Sequence, residues 1–446
     1  MSKRVIKIIT LIMVIAMVAS LAVGCGGDKG DASSAGSSSG SNGGNGAMDG
    51  INATSEEIEA LRGTTVTYVT WKDPEQNEDG VAVKKFEEKY GITVNVQLVD
   101  QSTYVNTIAT DIAAGQQGDV FFENGDFPGS LTVMQPLDAA NFDLSDPIWN
   151  QALIKASTLE GHAYLVDAIS NVWTEVDLCV YNKSLFELAN IPTPDKFYEQ
   201  GKWTFENFRW CAEKISALGK QYMGAGMLGE SVLGAAGSSV FTYKDNKMIS
   251  TVDDHLIDVM KFVADMKSDG IAGLQREDFG NGTVGMALTN CFGLKKTGYF
   301  TNINPDHLGA TYLPKWSESD KNYVTGIYRG WGLIDGAKNP VGAGLFLREY
   351  LDVNNYDLSN TFHNEEVSSF FFQVTGAYSE NMIYYHGPDM VKTTGIGSNF
   401  HEAWNYTTSA NMKAYFDSQA NVIEEMCVKA NKIIDQERDY IKKTFG

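Results

Sequence analysis

Residues 66–71 read VTYVTW and residues 92–98 read ITVNVQL, two runs in which apolar and polar side chains alternate. Such alternation predicts β-strands. Between them, Phe86 and Tyr90 belong to a pattern with helical spacing, and a short apolar run, DVFF at residues 119–122, follows a second helical pattern. Strands that alternate with helices in this way indicate βαβ units and a mainly parallel sheet. The sequence therefore predicts an α/β fold.

Polar and aromatic side chains follow two of these predicted strands. Residues 71–73, Trp-Lys-Asp, come after the first strand, and residues 123–126, Glu-Asn-Gly-Asp, come after the third. Ligands of parallel sheets bind beyond the carboxyl ends of the strands. We therefore expect both segments to lie close to a ligand.

The chain begins with the features of an export signal. An uncharged run, residues 8–24, lies between three basic residues and Cys25. This order predicts a signal peptide at residues 1–24 and attachment of lipid to Cys25. The alternative is an uncleaved membrane anchor, although a run of about 17 residues is at the lower limit for crossing a bilayer.

A linker follows the cysteine. Residues 26–50 are almost entirely Gly, Ser, Asn, Ala and Asp. Such a composition cannot bury enough apolar surface to offset the entropy lost on ordering. We therefore assign residues 25–54 to a lipidated cysteine and a disordered tether.

The remaining chain has the composition of a globular protein. Of the 446 residues, 43% are hydrophobic and 20% are charged, and the formal net charge is −21. About 390 residues are too many for one core of ordinary size and predict two lobes. A strongly negative field repels nucleic acid and anionic lipid, so neutral or cationic ligands are favoured.

The cysteines after Cys25 give no sign of a metal site, because none forms a CxxC pair or lies near a histidine at metal spacing. Export permits disulfides, and four cysteines allow three pairings. The sequence favours buried thiols over disulfides. The four residues are Cys179, Cys211, Cys291 and Cys427.

An ordered set of short motifs runs from about residue 64 to 351. The motifs are Trp71, FEEKYGITV at 86–94, GDVFF at 118–122, QPLD at 135–138, VYNKSLF at 180–186, WTFENF at 203–208, GMAL at 285–288, GWGLI at 330–334 and KNP at 338–340. This set resembles the family 1 extracellular solute-binding proteins of carbohydrate ABC transporters, the maltose-binding-protein-like group.

The resemblance implies a two-lobed, periplasmic-binding-protein-like fold with a hinge and a ligand cleft between the lobes. We expect the chain to cross between the lobes near residues 172–177 and again near 325–332. The implied division is 55–172 for the first part of the N-lobe, 173–325 for the C-lobe, 326–375 for the return to the N-lobe, and 376–446 for C-terminal helices that pack mainly on the C-lobe.

Sugar recognition needs aromatic rings against the apolar faces of the sugar, together with polar groups that bind its hydroxyls. The predicted cleft positions offer this mixture. The candidate ligand-binding residues are Trp71, Lys72, Asp73, Asn124, Asp126, Trp173, Glu175, Phe292, Arg329 and Trp331.

Three of these roles come from the resemblance. Glu175 lies six residues before the Tyr-Asn-Lys of residues 181–183, where the relatives have a sugar-contacting glutamate. Asp126 resembles the acidic contact of the N-lobe, with Asn124 or Glu123 as alternatives. Phe292 lies near the position at which the relatives have a tryptophan that stacks on the sugar.

Packing is the alternative for several aromatic residues. Trp173 and Trp331 could fill the space between the lobes. We expect Trp203 to belong to the core, next to a helix that Thr204 caps. A terminal helix is predicted from about residue 410 to 442, and Trp404 before it is expected to pack rather than bind.

The predicted function is that of an exported, lipid-anchored binding protein that captures a sugar or oligosaccharide by hinge closure and delivers it to an ABC transporter permease. It would act as a monomer, without cofactor, metal or nucleic acid, and outside the cell membrane. The same fold could instead report ligand occupancy to a membrane kinase. A polyamine, peptide or cation remains an alternative ligand.

An enzyme acting on polysaccharides is the least favoured alternative. It would need two carboxylates across a cleft, and Glu175 and Asp126 could be cast in those roles. Residues 55–446 contain no GxSxG, HExxH or P-loop motif, and the six histidines form no i, i+4 pair. Binding without chemistry is therefore the prediction.

Overall fold

A computed structural model describes residues 50–74, 79–168, 176–226, 229, 231–273, 276–318, 320–352, 360–385 and 400–445. The predicted signal peptide, Cys25 and most of the predicted linker lie outside the described residues.

The chain alternates between strands and helices. The strands are β1 (Thr65–Thr70), β2 (Thr93–Leu98), β3 (Val120–Glu123), β4 (Met134–Gln135), β5 (Thr158–Leu159), β6 (His162–Ala163), β7 (Asp177–Asn182), β8 (Met223–Gly226), β9 (Phe241–Lys244), β10 (Lys247–Ser250), β11 (Ala272–Gly273), β12 (Val284–Asn290), β13 (Leu308–Thr311), β14 (Val324–Ile327), β15 (Gly330–Ile334) and β16 (Met382–Tyr385). The helices are α1 (Ser55–Ala60), α2 (Asp79–Tyr90), α3 (Tyr104–Ala114), α4 (Gln151–Ala156), α5 (Lys183–Ala189), α6 (Pro194–Glu199), α7 (Phe205–Ser216), α8 (Ser231–Ala235), α9 (Asp254–Ser268), α10 (Arg276–Gly280), α11 (Pro340–Tyr350), α12 (Glu365–Asn381) and α13 (Met412–Thr444).

The first lobe is built on a sheet with the strand order β2-β1-β3-β15-β4. Strands β1, β2 and β3 are parallel, and Tyr68 of β1 lies opposite Val120 of β3. Strand β15 returns from the far part of the chain and pairs antiparallel with β3, with Gly330 opposite Glu123. Buried Phe86 of α2 contributes to the core of this lobe. The predicted α/β fold is confirmed.

The second lobe has its own sheet, with the order β11-β8-β12-β7-β13. Strands β8, β11 and β12 are parallel, whereas β7 is antiparallel to both of its neighbours. As predicted, Trp203 is buried, and its Nε1–H donates to the Tyr312 carbonyl at 2.8 Å. The Thr204 hydroxyl accepts from the Asn207 N–H and caps α7, which also agrees with the sequence.

Several segments connect the lobes. Most of the predicted first crossing, 172–177, lies outside the described residues, and β7 begins at its end. In the predicted second crossing, β14 pairs in parallel with β16 before the chain enters the first sheet at Gly330. Phe127 of the first lobe also stacks on Tyr328, with ring centroids 5.6 Å apart.

Helix α12 differs from the sequence-based division, which placed residues up to 375 with the first lobe. Val367, Phe371 and Val374 share one buried face of α12 and join a core with Val180 and Phe300 of the second lobe. The spacing i, i+4, i+7 puts these side chains on one side of the helix. The return to the first lobe therefore consists of β15 and α11, and it ends near Asp352.

Helix α13 begins and ends within two residues of the predicted terminal helix. Buried Met412, Phe416 and Met426 belong to a core that includes second-lobe side chains. Its last turns instead contact the first lobe, where the ring of Phe445 lies 4.7 Å from that of His162. The helix thus spans both lobes, whereas the sequence placed it mainly on the second.

The four cysteines of the described chain are buried thiols and not disulfides. Burial raises the pKa of Cys211 to about 12, so this thiol remains protonated at neutral pH. The preference for buried thiols is confirmed.

Candidate ligand-binding site

A cavity of about 270 Å³ lies at the carboxyl edge of the first sheet. Its wall consists of the ends of β1 and β3, the 3₁₀ turn Gln101–Thr103 with the beginning of α3, Thr132, and one side chain from α13, Ile433. The carboxyl edge is where a parallel sheet binds its ligands. Three of the predicted residues, Trp71, Asn124 and Asp126, line this one cavity.

Trp71 supplies an aromatic wall. Its half-buried ring meets Tyr104 edge to face, with ring centroids 4.8 Å apart. Tyr104 is itself fixed, because its hydroxyl donates to the Val69 carbonyl at 2.7 Å and accepts from the Phe122 N–H at 3.2 Å. Burial raises the pKa of Tyr104 well above its usual range, so the hydroxyl stays neutral. The Trp71 ring therefore has a rigid support.

Glu123 shapes the turn that carries the polar groups of the cavity. This buried carboxyl accepts from the backbone N–H of Gly125 at 3.0 Å and from that of Asp126 at 2.5 Å. Gly125 has φ of +96°, a conformation that favours glycine. Burial, and then the charge of Asp126, raise the pKa of Glu123 to about 8. Glu123 is therefore a structural group whose protonation changes near neutral pH.

Asp126 and Asn124 are the polar side chains that this turn presents at the cavity. Asp126 is buried and Asn124 is half-buried. A carboxylate accepts hydrogen bonds, and an amide both donates and accepts them. Together with Trp71, the turn offers an aromatic face and polar groups to one ligand.

Lys72 and Asp73 lie in the turn after β1 but do not line the cavity. The Lys72 N–H donates to the Thr70 hydroxyl at 3.1 Å, while the Lys72 side chain is exposed. Asp73 is half-buried. The structure thus places these two predicted residues beside the site rather than in its wall.

Trp331 lies behind the cavity. It is 6% exposed and packs in the first-lobe core, with its ring 5.3 Å from Tyr68 and 5.2 Å from Phe122. Trp331 lies on β15 opposite Phe122 of β3, and it is buried among side chains of the neighbouring strands and of α11. Arg329, two residues earlier, is half-buried, and its Nε lacks a hydrogen-bond partner among the described residues.

Phe292 lies on the second lobe. It is in the 3₁₀ turn Cys291–Leu294 after β12, with its ring 5.1 Å from Tyr299 and 5.6 Å from Lys295 Nζ. It does not line the first-lobe cavity. Trp173 and Glu175 lie outside the described residues.

Sequence reasoning missed other wall residues. Ser102 lines the cavity from the 3₁₀ turn Gln101–Thr103, just beyond the carboxyl end of β2, and Asn106 lines it from the beginning of α3. The rule that selected the ends of β1 and β3 would also have selected this end. Ile433, by contrast, carries no local signal, because only the docking of α13 brings it to the first lobe.

Further features bear on the class of protein. Among the residues that the structure describes, no group of three His, Cys, Asp or Glu side chains could hold a metal ion. Within the same ranges, every helix is too short or too polar to cross a bilayer.

The fold and the cavity agree with the comparison to known sequences. Residues 71–352 match the family of bacterial extracellular solute-binding proteins, and this match covers more than half of the chain. The chain belongs to this family. It is also 25% identical over 269 residues to a binding protein of Brucella abortus and spans 60% of the length of that curated relative.

Solved structures share the fold. The sugar-binding protein MalE from Xanthomonas citri has a TM-score of 0.59 at 15% identity, covering 86% of this chain and 100% of that one. The galacto-N-biose-/lacto-N-biose I-binding protein from Bifidobacterium longum gives 0.57 at 15%, covering 84% and 97%. An ABC substrate-binding protein from Listeria monocytogenes, in complex with cycloalternan, gives 0.52 at 18%, covering 86% and 99%.

The family is one of solute-binding proteins, and these structural neighbours are also named as binding proteins. The match to this family confirms the prediction of a binding protein. An extracellular family also implies export.

Proposed function

We propose that this protein captures a sugar or an oligosaccharide between its lobes and delivers it to an ABC transporter permease. One observation carries the proposal: a rigidly supported Trp71 ring and the polar groups of Asp126 and Asn124 line the same cavity. Aromatic rings pack against the apolar faces of sugars, and carboxylate and amide groups bind hydroxyls.

The charge and size of the site support this ligand class. A net charge of −21 favours a neutral ligand over an anionic one. The cavity, at about 270 Å³, is slightly smaller than the ~300–1,000 Å³ typical of sites for drug-sized ligands, so it suits one sugar unit. Two of the structural neighbours were solved in complex with the sugars cycloalternan and lacto-N-biose.

The second lobe supplies the opposite wall in this proposal. Phe292 would meet the ligand from that lobe, and Trp173, Glu175 and Arg329 would contribute from the crossings. Hinge closure would bring these groups over the first-lobe cavity and present a new surface to the permease. We assign Trp331 to packing, since it supports Phe122 from the core.

The protein would act outside the cell on a lipid tether, as a monomer. Residues 1–24 would be removed as a signal peptide, Cys25 would carry the lipid, and the polar segment up to residue 54 would let the lobes reach the permease. Labelling of cells with a palmitate analogue tests this part. We expect label on the wild type and none on Cys25→Ala, and labelling of both would contradict it.

The ligand class is tested by a thermal-shift screen against mono- and oligosaccharides, polyamines and short peptides. A ligand that binds only the folded state raises the melting temperature. We expect a rise with one class of sugar, and its loss in Trp71→Ala and Asp126→Asn.

Matched controls separate site effects from general damage. Trp210 is a partly exposed tryptophan on α7, so Trp210→Ala should leave the shift unchanged. Asp258 is a mostly exposed carboxylate on α9, and Asp258→Asn serves in the same way. A shift with polyamines or peptides alone would overturn the sugar assignment.

A further inference from the structure

The C-terminal helix provides one wall of the cavity. Among the residues the structure describes, every lining residue of the cavity except Ile433 of α13 falls between residues 71 and 132 of the first lobe. Its neighbour Ile434 is fully buried in the core that α13 shares with both lobes. The cavity is therefore closed on this side by an element that also packs on the second lobe.

A pair of hydrogen bonds fixes this helix to the second lobe. Asn431 Oδ1 accepts from the Met248 N–H at 2.8 Å, and its Nδ2 donates to the Met248 carbonyl at 2.9 Å. Met248 lies in β10 of the hairpin β9–β10. Successive helix residues are about 100° apart, so Asn431 and Ile433 point to different sides of α13. The helix lies between the hairpin and the cavity.

The next turn of α13 fixes the helix to the first lobe. Tyr164 donates its hydroxyl proton to Glu437 Oε1 at 2.5 Å. Arg438 donates from Nε to Glu160 Oε1 at 2.7 Å and from a terminal nitrogen to the Asn246 carbonyl of the hairpin at 3.0 Å. Arg438 is only 19% exposed, so it joins an element of each lobe in a partly desolvated setting.

From this geometry we infer that Ile433 determines which size of sugar unit the cavity accepts, and that Asn431 and Arg438 position it. This inference rests on the proposed function and adds a specificity role for the C-terminal helix. An apolar side chain at the wall of a cavity of about 270 Å³ limits the ligand through its volume. Asn431 and Arg438 together contact both lobes. Ile433 would therefore keep its position at the cavity only while the lobes keep one relative arrangement.

The test is isothermal titration of the whole protein with pairs of probes: glucose and maltose, galactose and lactose, mannose and mannobiose, with putrescine and spermine as a non-sugar pair. The readout is the ratio of the two dissociation constants within a pair. Ile433→Ala should weaken binding of the smaller probe about tenfold and spare or improve the larger one, so the ratio changes at least several-fold. Ile433→Trp should abolish binding of both.

Variants of the positioning residues sharpen the result. Asn431→Ala should change the ratio in the same direction as Ile433→Ala, because the wall then moves with a loosened helix. A role confined to stability would lower the melting temperature without changing this ratio. Val428→Ala is the matched control, since Val428 is an exposed aliphatic residue on the same helix and should leave the ratio unchanged.

The outcomes separate the two proposals. Binding of a sugar pair by the wild type, with the same ratio in Ile433→Ala and normal binding by Ile433→Trp, would overturn the inference and leave the proposed function intact. Selective binding of the polyamine pair would overturn the sugar assignment and, with it, the inference that Ile433 selects the size of a sugar unit. Failure of the wild type to bind any probe would overturn both.

Discussion

The two walls of the cavity are built in different ways. On the first-sheet side, Trp71, Asn124 and Asp126 follow directly on strands and take their positions from the sheet. Ile433, by contrast, lies on a helix of 33 residues that reaches the cavity from a distant part of the chain. One wall depends on local structure and the other on long-range docking. Mutations should therefore affect the two walls through different interactions.

The largest expected effect concerns Glu123, under the first wall. The pKa of Glu123 is raised from about 4.5 in the unfolded chain to about 8 in the folded protein. Between pH 4.5 and pH 8, Glu123 is therefore ionised in the unfolded chain and protonated in the folded protein. The free energy of unfolding should therefore fall by about 1.4 kcal/mol per pH unit across this window through this group, and level off above it. Below pH 4.5 Glu123 is protonated in both states, so the unfolding free energy keeps the full contribution of this group.

Glu123→Gln removes that titration while keeping a carbonyl that can accept from the turn. Urea unfolding of both proteins from pH 5 to 8.5 should show the variant gaining stability relative to the wild type as the pH rises. Glu88→Gln, on an exposed position of α2, is the control. Parallel pH profiles for wild type and Glu123→Gln would show that Glu123 is ionised in the fold at pH 5.

A second prediction concerns the support of Trp71. In Tyr104→Phe the Val69 carbonyl and the Phe122 N–H both lose a partner in a buried setting. Leaving such groups unsatisfied should cost about 1–3 kcal/mol of unfolding free energy. Tyr406→Phe, at a tyrosine that is 59% exposed, should change the stability by less than about 0.5 kcal/mol. Equal effects of the two variants would contradict the supporting role of Tyr104.

A third, smaller effect is expected at the second wall. Arg438→Ala removes hydrogen bonds to Glu160 and to the Asn246 carbonyl and should lower the unfolding free energy by about 1–2 kcal/mol. Arg62→Ala is the control, because the Arg62–Glu59 pair is exposed within one turn and such pairs contribute little. If both variants unfolded at the wild-type denaturant concentration, α13 would not be held at the first lobe through Arg438.

The difference between local structure and long-range docking also explains which features could be predicted from the sequence. Alternation with period two marks the first half of each strand, where buried Val66 and Val94 lie between more exposed neighbours, whereas the second half of β1 is buried on both faces. Positions after strand ends follow from the geometry of parallel sheets, and three of those predicted, Trp71, Asn124 and Asp126, line one cavity. The buried core around Trp203 was predicted for similar reasons, from a cap and helical spacing.

The sequence carries less information where the outcome depends on distant partners. The buried faces of α12 and α13 show that these helices pack, but the pattern does not tell which lobe they pack on. The same limit applies to Trp331. Whether an aromatic residue on a strand contacts a ligand or packs in a core depends on which elements cover it. The roles of Phe292 and Arg329 remain predictions.

The most direct test of the account is a crystal structure of the protein with the sugar that gives the largest thermal shift. The account predicts a sugar ring against the face of Trp71, a hydroxyl hydrogen-bonded to Asp126, and Ile433 in van der Waals contact with the same unit. A sugar bound elsewhere, with the cavity of Trp71 and Ile433 empty, would contradict it.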